Sequence, residues 1–162
     1  MTEHQLVFYP DTHLQTKAAK VLLYGADLND LASEMLRVME LEQGVGLAAP
    51  QVGVNQCVII VKPEPNSQPL VLVNPTLSWV SEEQELGTEG CLSLPGLSIL
   101  VPRSLVCDVE FCDLSGKSYY KKCTGYLARI VQHEMDHLIG LTLLDKINRK
   151  HRKAALKGYS KP

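Results

Sequence analysis

Apolar residues between Asp27 and Glu42 recur at the spacing of an amphipathic helix. On a helix of about 3.6 residues per turn they share one face, and they are Leu28, Leu31, Met35, Val38 and Met39. Asp27 is a candidate N-cap for this helix, and Gly44 is a candidate terminator. Before the helix, residues 10–16 predict a short turn or helical turn.

The middle of the chain predicts strands. A glycine-rich loop at residues 44–53 precedes runs of β-branched and aromatic residues with turn residues between them. The predicted strands cover residues 57–61, 70–73, 77–80, 98–101, 105–111 and 117–123. Ser115-Gly116 predicts a hairpin turn between the last two strands.

A second helix is predicted from Tyr126 to Ile139, capped by Thr124 or Gly125 and ended by Gly140. A basic carboxy-terminal helix is expected at about residues 145–162. Helix, strands and helix in this order predict an α+β fold. In it, antiparallel strands pack around the central second helix, with amino-terminal and carboxy-terminal helices outside.

Composition fits an ordinary globular protein. The 162 residues are expected to form a single domain, 1–162, since one domain commonly has about 100–200 residues. Residues of the AVILMFWYC set make up 45 % and charged residues 21 %, which excludes disorder and coiled coil. Lys and Arg number 16 against 18 Asp and Glu, so the net charge of −2 gives no sign of wholesale nucleic-acid binding.

The sequence predicts a cytoplasmic protein that does not enter a membrane. The longest uncharged stretch, residues 43–61, is broken by glycines and a proline, and residues 1–11 lack the basic start and apolar run of a signal peptide. Five cysteines without paired spacing indicate free thiols in a reducing compartment, with one available as a metal ligand. They are Cys57, Cys91, Cys107, Cys112 and Cys123.

His133, Glu134 and His137 form the most informative motif of the chain. Residues four apart on a helix lie on one face with Cβ atoms about 5–6 Å apart, so both imidazoles can reach one metal ion. Glu134 follows the first histidine and can act as a base for a water molecule there. Since the rest of this helix is largely apolar, the motif predicts a metal centre and not a chance histidine pair on the surface.

A catalytic metal site usually has three protein ligands, so one more is needed. A metzincin would have a histidine where Leu143 stands, and a thermolysin-like site needs a later glutamate, which the chain after Glu134 lacks. Asp136 points off the histidine face, and Asp145 would be an unusual ligand. The third ligand is therefore expected upstream, where Cys91 lies in a segment rich in glycine and proline, whereas the other cysteines lie in strand-like context.

Three segments resemble the signatures of the peptide deformylase family, in the same order and at similar spacing. They are GVGLAAPQ at residues 44–51, EGCLS at 89–93 and QHEMDH at 132–137. The likeness extends from PDTHL at residues 10–14 through VPR at 101–103 and covers nearly the whole chain. It implies a metal-dependent hydrolase that removes the formyl group from N-formylmethionine at the amino terminus of nascent polypeptides.

The resemblance also implies the metal ligands and the catalytic groups. Cys91, His133 and His137 would bind Fe(II), with Zn(II), Ni(II) or Co(II) as substitutes, and Glu134 would be the catalytic acid and base. The side chain of Gln51 and the backbone N–H of Leu92 would stabilise the oxyanion. The substrate-binding residues would be Val45, Gly46, Gly90, Tyr126, Arg129 and Ile130.

Helix geometry gives independent reason to place some of these residues beside the metal. At about 100° per residue, Tyr126, Arg129 and Ile130 lie within about 60° of His133, where they would line a mostly apolar slot suited to a methionine side chain. The Arg129 guanidinium is expected at the mouth of this slot, near the peptide carbonyls. Separately, Glu89 and Arg103 are expected to pair and brace the Cys91 segment.

The basic segment after Asp145 leaves two possibilities open. It is either a solvated terminal helix or a surface attracted to ribosomal RNA, but no sequence-specific nucleic-acid binding is expected. Two alternatives to deformylase activity also stay open on sequence. One is a zinc endopeptidase of the HExxH type, and the other is a catalytically silent, ribosome-associated binding module.

Overall fold

The structure is a computed structural model that describes residues 3–162. Its strands are β1 (Gly46–Ala48), β2 (Val58–Val61), β3 (Leu70–Val80), β4 (Gln84–Cys91), β5 (Leu94–Ser104), β6 (Val106–Cys112) and β7 (Ser118–Thr124). Its α-helices are α1 (Ala26–Leu41), α2 (Gly125–Leu138) and α3 (Arg149–Lys157). Short 3₁₀ turns lie at Thr12–Gln15, Ala49–Val52 and Leu143–Lys146.

All the paired strands run antiparallel and form two sheets. Five of them make one sheet in the order β1-β2-β3-β6-β7, and β4 and β5 form a separate hairpin. Helix α2 packs on the five-stranded sheet and also contacts β5 of the hairpin. The α+β prediction, with antiparallel strands around a central helix, is therefore confirmed.

The core of the described residues consists of three apolar clusters, and α2 contributes to the first of them. Ile130 and Val131 of α2 pack with Leu72 and Val109 of the larger sheet. In a second cluster α1 packs on the five-stranded sheet, and a third cluster lies between the β4–β5 hairpin and the carboxy-terminal segment. His133, Glu134 and His137 of α2 are buried as well, so they lie in a water-poor setting.

The ends of α1 differ from the predicted caps. The N-cap is Gly25, and Asp27 lies inside the first turn, so the prediction of Asp27 as N-cap was wrong. At the other end Gln43, not Gly44, takes the left-handed conformation with φ 56°. The N–H of Gln43 donates to Glu40 O at 3.1 Å and that of Gly44 to Met39 O at 2.8 Å, which is the Schellman pattern of helix termination.

Strand predictions were correct for β2, β6 and β7 to within about two residues and incomplete elsewhere. Residues 70–73 and 77–80 belong to one strand, β3, which continues through Asn74 at φ 50° with irregular register. The Asn74 side chain holds both backbone groups of Val21, which explains why the chain tolerates this conformation. Strand β4 was not predicted, and the glycine-rich loop contains β1 and a 3₁₀ turn.

The carboxy-terminal helix is shorter than predicted, because α3 covers only Arg149–Lys157. Its inner residues and Tyr159 pack against the hairpin cluster, and the Tyr159 hydroxyl donates to Tyr9 O at 3.0 Å. Among residues 3–162, no helix is long and apolar enough to cross a membrane.

Candidate metal centre and active site

His133 and His137 lie one turn apart on α2, and both are buried. Their ring centroids are 5.2 Å apart. Between them and the start of the helix, the Gln132 side chain donates to Ser104 O at 2.9 Å and accepts from Ser104 N at 3.1 Å. This amide pair fixes α2 against the end of β5, so the histidine face keeps a set distance from the hairpin.

Cys91 comes to the two histidines from the hairpin. It is the last residue of β4, just after an irregularity in the β4–β5 register at Glu89. Its Sγ is 3.4 Å from Nε2 of His137, and one ligand atom from each of Cys91, His133 and His137 lies within 4.8 Å of the other two. The structure thus brings together the three residues expected to bind the metal, although Cys91 ends a strand and does not lie in a loop.

The two imidazoles offer lone pairs toward Cys91. Nδ1 of His133 is 2.9 Å from Oε1 of Glu89, and since a carboxylate only accepts, Nδ1 carries the proton and Nε2 is free to bind a metal. Burial holds the pKa of His137 well below its usual value, so its ring is neutral. Burial opposes protonation of His133 as well, but the hydrogen bonds to Cys91 and Glu89 outweigh it and hold its pKa well above the usual value, so a metal that binds Nε2 would displace a proton. One sulfur and two imidazole nitrogens are a donor set that fits Fe(II), Zn(II), Ni(II) or Co(II).

Glu89 lies at the centre of a network of buried charged side chains next to His133. Arg103 donates to both of its oxygens at 2.9 Å, which confirms the expected Glu89–Arg103 pair. Burial opposes ionisation, but the hydrogen bonds from His133 and Arg103 outweigh it and hold the pKa of Glu89 at about 2. Arg103 also donates to Asp136 at 2.6 Å, so that carboxylate is held away from the metal-binding face.

Glu134 presents a buried carboxylate next to this face. Its Oε2 has no hydrogen-bond partner among the described residues, and burial raises the pKa of Glu134 to about 7. Gly46 of β1 lies directly against it, because a Cβ at position 46 would be 2.5 Å from Oε1 of Glu134 and 2.8 Å from Ile130. Only glycine lets β1 approach the helix this closely.

The amide of Gln51 has a defined orientation. Its Oε1 accepts from Ala48 N at 2.9 Å, so Nε2 is directed at Ser93 Oγ at 3.2 Å and at Cys91 Sγ at 3.5 Å. An amide donor therefore points toward the metal-binding face. Leu92, whose backbone N–H was the second expected donor, follows Cys91 directly and packs its side chain against Gly44.

A cavity of about 570 Å³ opens beside these groups, within the range of about 300–1,000 Å³ common for small-ligand sites. The six expected substrate-binding residues all line it: Val45, Gly46, Gly90, Tyr126, Arg129 and Ile130. Sequence reasoning missed Phe8, Thr88 and Leu97, which also line the cavity. Phe8 comes from a distant segment, and Thr88 and Leu97 lie beside the Cys91 segment, but nothing in the local pattern of any of the three marks it as a cavity residue.

Arg129 lines the cavity, and its guanidinium contacts the hairpin. It donates to Glu89 Oε2 at 2.6 Å, Val101 O at 2.9 Å and Glu85 O at 2.7 Å. The sequence predicted that this guanidinium would face the peptide carbonyls of a substrate. Carboxylate and carbonyl acceptors on the hairpin engage it instead.

An α+β fold that gathers a thiol and two imidazoles beside a buried carboxylate defines a metal-dependent hydrolase. The family model described as polypeptide deformylase matches residues 3–153. The chain belongs to the peptide deformylase family, whose members are metal-dependent enzymes that remove the N-formyl group from nascent polypeptide chains. The comparisons support this activity and neither the endopeptidase nor the silent binding module.

Relatives and solved structures cover nearly all of the chain. Peptide deformylase of Borreliella burgdorferi is 38 % identical over 157 residues, which is 96 % of this chain and 94 % of that one. The enzyme of Dictyoglomus thermophilum is 44 % identical over 136 residues, or 84 % and 87 % of the two chains. The Synechococcus elongatus structure in complex with actinonin has a TM-score of 0.89 at 36 % identity, covering 95 % of this chain and 84 % of that one.

Proposed function

We propose that Cys91, His133 and His137 hold the metal ion of this deformylase and that the ion is Fe(II). The observation that carries this proposal is the convergence of their three ligand atoms within 4.8 Å. The orientation of His133 by Glu89 supports it, because a carboxylate commonly holds a metal-binding histidine in this way. Zn(II), Ni(II) and Co(II) accept the same donor set and can substitute.

When bound, the cation supplies Lewis acidity, which lowers the pKa of a water molecule and polarises a carbonyl group. Glu134 moves the protons: its Oε2 takes one from the attacking water and gives it to the amine nitrogen as the C–N bond of the formamide breaks. The products are formate and a free amino terminus. Glu134 suits this role because it is buried, faces the cavity and has an oxygen without a partner among the described residues.

The oxygen that becomes negative during attack needs donors. We assign this role to Nε2 of Gln51 and the backbone N–H of Leu92, and the orientation of the Gln51 amide supports it. A single donor of this kind typically contributes about 10²–10³ in rate. Glutamine suits the position because its amide donates at every pH.

The substrate is an N-formylmethionyl peptide. We propose that the methionine side chain enters the cavity between Val45, Tyr126 and Ile130, with the stem of Arg129 along one wall. Gly46 and Gly90 line the same cavity and leave room for the main chain of the substrate.

The test combines metal analysis with formate release under anaerobic conditions, since an Fe(II)–thiolate site is sensitive to oxidation. The protein is expected to carry about one metal ion per chain and to release formate from a formyl-Met peptide. Cys91→Ala should lose both, whereas Cys112→Ala, a half-buried thiol on β6, should keep both. Retention of metal and activity in Cys91→Ala would refute the ligand assignment.

We further propose that this single-domain enzyme works in the cytoplasm at the ribosome, where its substrates emerge. Support comes from α3 and the residues after it, where basic side chains are exposed, namely Arg149, Lys150, Lys153, Lys157 and Lys161. Co-sedimentation with ribosomes should weaken as salt rises and should be lost in Lys150→Glu/Lys153→Glu. Unchanged sedimentation of that variant would leave α3 as a solvated helix.

A further inference from the structure

Arg129 joins the helix that carries the two histidines to the hairpin that carries Cys91. It lies on α2 one turn before His133, and its side chain is only 13 % exposed. Its guanidinium donates to the carboxylate of Glu89 and to Glu85 O, both on β4, and to Val101 O on β5. One side chain therefore connects α2 to both strands of the hairpin.

Position 87 is shaped to receive this guanidinium. A Cβ at Gly87 would lie 2.6 Å from Cζ of Arg129, 2.8 Å from its Nη2 and 2.9 Å from its Nε. The guanidinium thus lies flat on the backbone of β4 where a side chain is missing. This packing restricts the position of the guanidinium, so its hydrogen bond to Glu89 has a fixed direction.

Glu89 needs the donor that Arg129 supplies. A carboxylate has about four acceptor positions, and here four donors fill them. Oε1 receives Arg103 Nη2 and His133 Nδ1, while Oε2 receives Arg103 Nε and Arg129 Nη1. Without Arg129, this buried carboxylate would lose one of its two guanidinium partners, and the acceptor that orients His133 would be held less rigidly by the three donors that remain.

We propose that Arg129 is a positioning residue of the metal centre. It fixes Glu89, and through Glu89 it fixes the direction of the His133 lone pair and the distance between α2 and the Cys91 hairpin. The inference rests on the proposed ligand set of Cys91, His133 and His137. It assigns the guanidinium to the metal side of the cavity, and only the stem to the substrate.

The test compares Arg129→Met, which keeps most of the stem, with Arg129→Lys, which keeps a charge. The control is Arg37→Met, because Arg37 on α1 makes a similar ion pair with Glu34 outside the cavity. Each protein is loaded with Co(II), and three properties are measured: the visible spectrum, the rate of metal transfer to a chelator, and kcat and KM on a formyl-Met peptide.

Arg129→Met is expected to release metal about 10–100 times faster, with an altered Co(II) spectrum and a lower kcat at nearly unchanged KM. Arg129→Lys should recover part of the loss, and Arg37→Met should match the parent. A rise in KM with normal metal release would overturn the proposal, since the guanidinium would then serve the substrate. Parental values for Arg129→Met in all three measurements would overturn it as well.

Gly87→Ala provides a second variant if Arg129→Met fails to fold. The new methyl group would displace the guanidinium while leaving α2 unchanged, so the same faster metal release is expected, and parental release would overturn the proposal. These results are separate from the proposed function. If the parent protein itself bound no metal through Cys91, the ligand assignment would fail before Arg129 was tested.

Discussion

Gly46 shows how one absent side chain determines the geometry of the catalytic groups. Its lack of a Cβ lets β1 lie against Glu134 and Ile130, so the backbone of β1 covers one side of the carboxylate. The sequence motif marked this glycine, but only as part of a substrate channel. The contact with Glu134 could not be inferred, because it joins residues that are far apart in sequence.

We expect Gly46→Ala to reduce kcat/KM by about 10–100-fold, since Glu134 would have to move by a large fraction of an ångström. Metal content should stay near one ion per chain, because the atoms nearest to the new methyl group belong to Glu134 and Ile130 and not to a proposed ligand. Gly25→Ala is the control: position 25 has no neighbour within 4 Å and an extended φ of 167°. Equal activity of Gly46→Ala and the parent would contradict this role.

The charge network around Glu89 marks the limit of residue-level prediction. The Glu89–Arg103 pair was anticipated, but the bond from Arg129 was not, because nothing in a sequence shows which of two nearby acceptors a long side chain will choose. A carboxylate with a vacant acceptor position and a glycine at position 87 settle that choice, and both depend on the folded hairpin.

Among the elements, helices were easier to predict than the hairpin for a physical reason. α2 has a clear apolar stripe, so its limits were predicted to within one residue. β4 has no alternating apolar pattern, because the face that it buries carries Glu89 and Gly87, and its pairing energy comes from ion pairs and backbone hydrogen bonds. Strand signals based on hydrophobic alternation cannot detect such a strand.

The end of α1 gives a prediction about stability. Gln43 holds a left-handed conformation that favours glycine, so Gln43→Gly is expected to raise the free energy of unfolding by about 0.5–1 kcal/mol. Chemical denaturation of the metal-loaded protein measures this difference. Gln43→Ala should bring no gain, because it keeps the Cβ atom that makes the conformation costly. A loss of stability in Gln43→Gly would show that the Gln43 side chain contributes more than its backbone costs.

At the scale of the whole molecule, the carboxy-terminal segment supports the hairpin from outside. Leu156 and Tyr159 pack in the cluster that also includes Cys91, so the last helix and the metal centre share a boundary. The sequence indicated only a basic segment here. Its few apolar residues gave no sign of where it would dock, because docking depends on the surface that the folded hairpin presents.

Tyr159→Phe should lower the free energy of unfolding by about 0.5–1.5 kcal/mol, since it removes the hydrogen bond to Tyr9 O. The value should lie near the lower end, because the residue is only half-buried. Tyr159→Ala should cost more, because the edge-to-face contact between the Tyr9 and Tyr159 rings, with centroids 6.1 Å apart, is also lost. Thermal melting of the two variants beside the parent measures both effects, and equal melting temperatures would mean that the segment does not brace the fold.

Cys91 and His137 are 46 residues apart, on two elements that meet only in the finished fold. A cation bound by both therefore favours the native chain over the denatured one, and a chelator should lower the melting temperature as well as stop turnover. Where divalent metal is scarce, two effects would then combine: the remaining copies of the enzyme would be inactive, and proteases would degrade them sooner. Metal supply would set the abundance of this deformylase together with its activity.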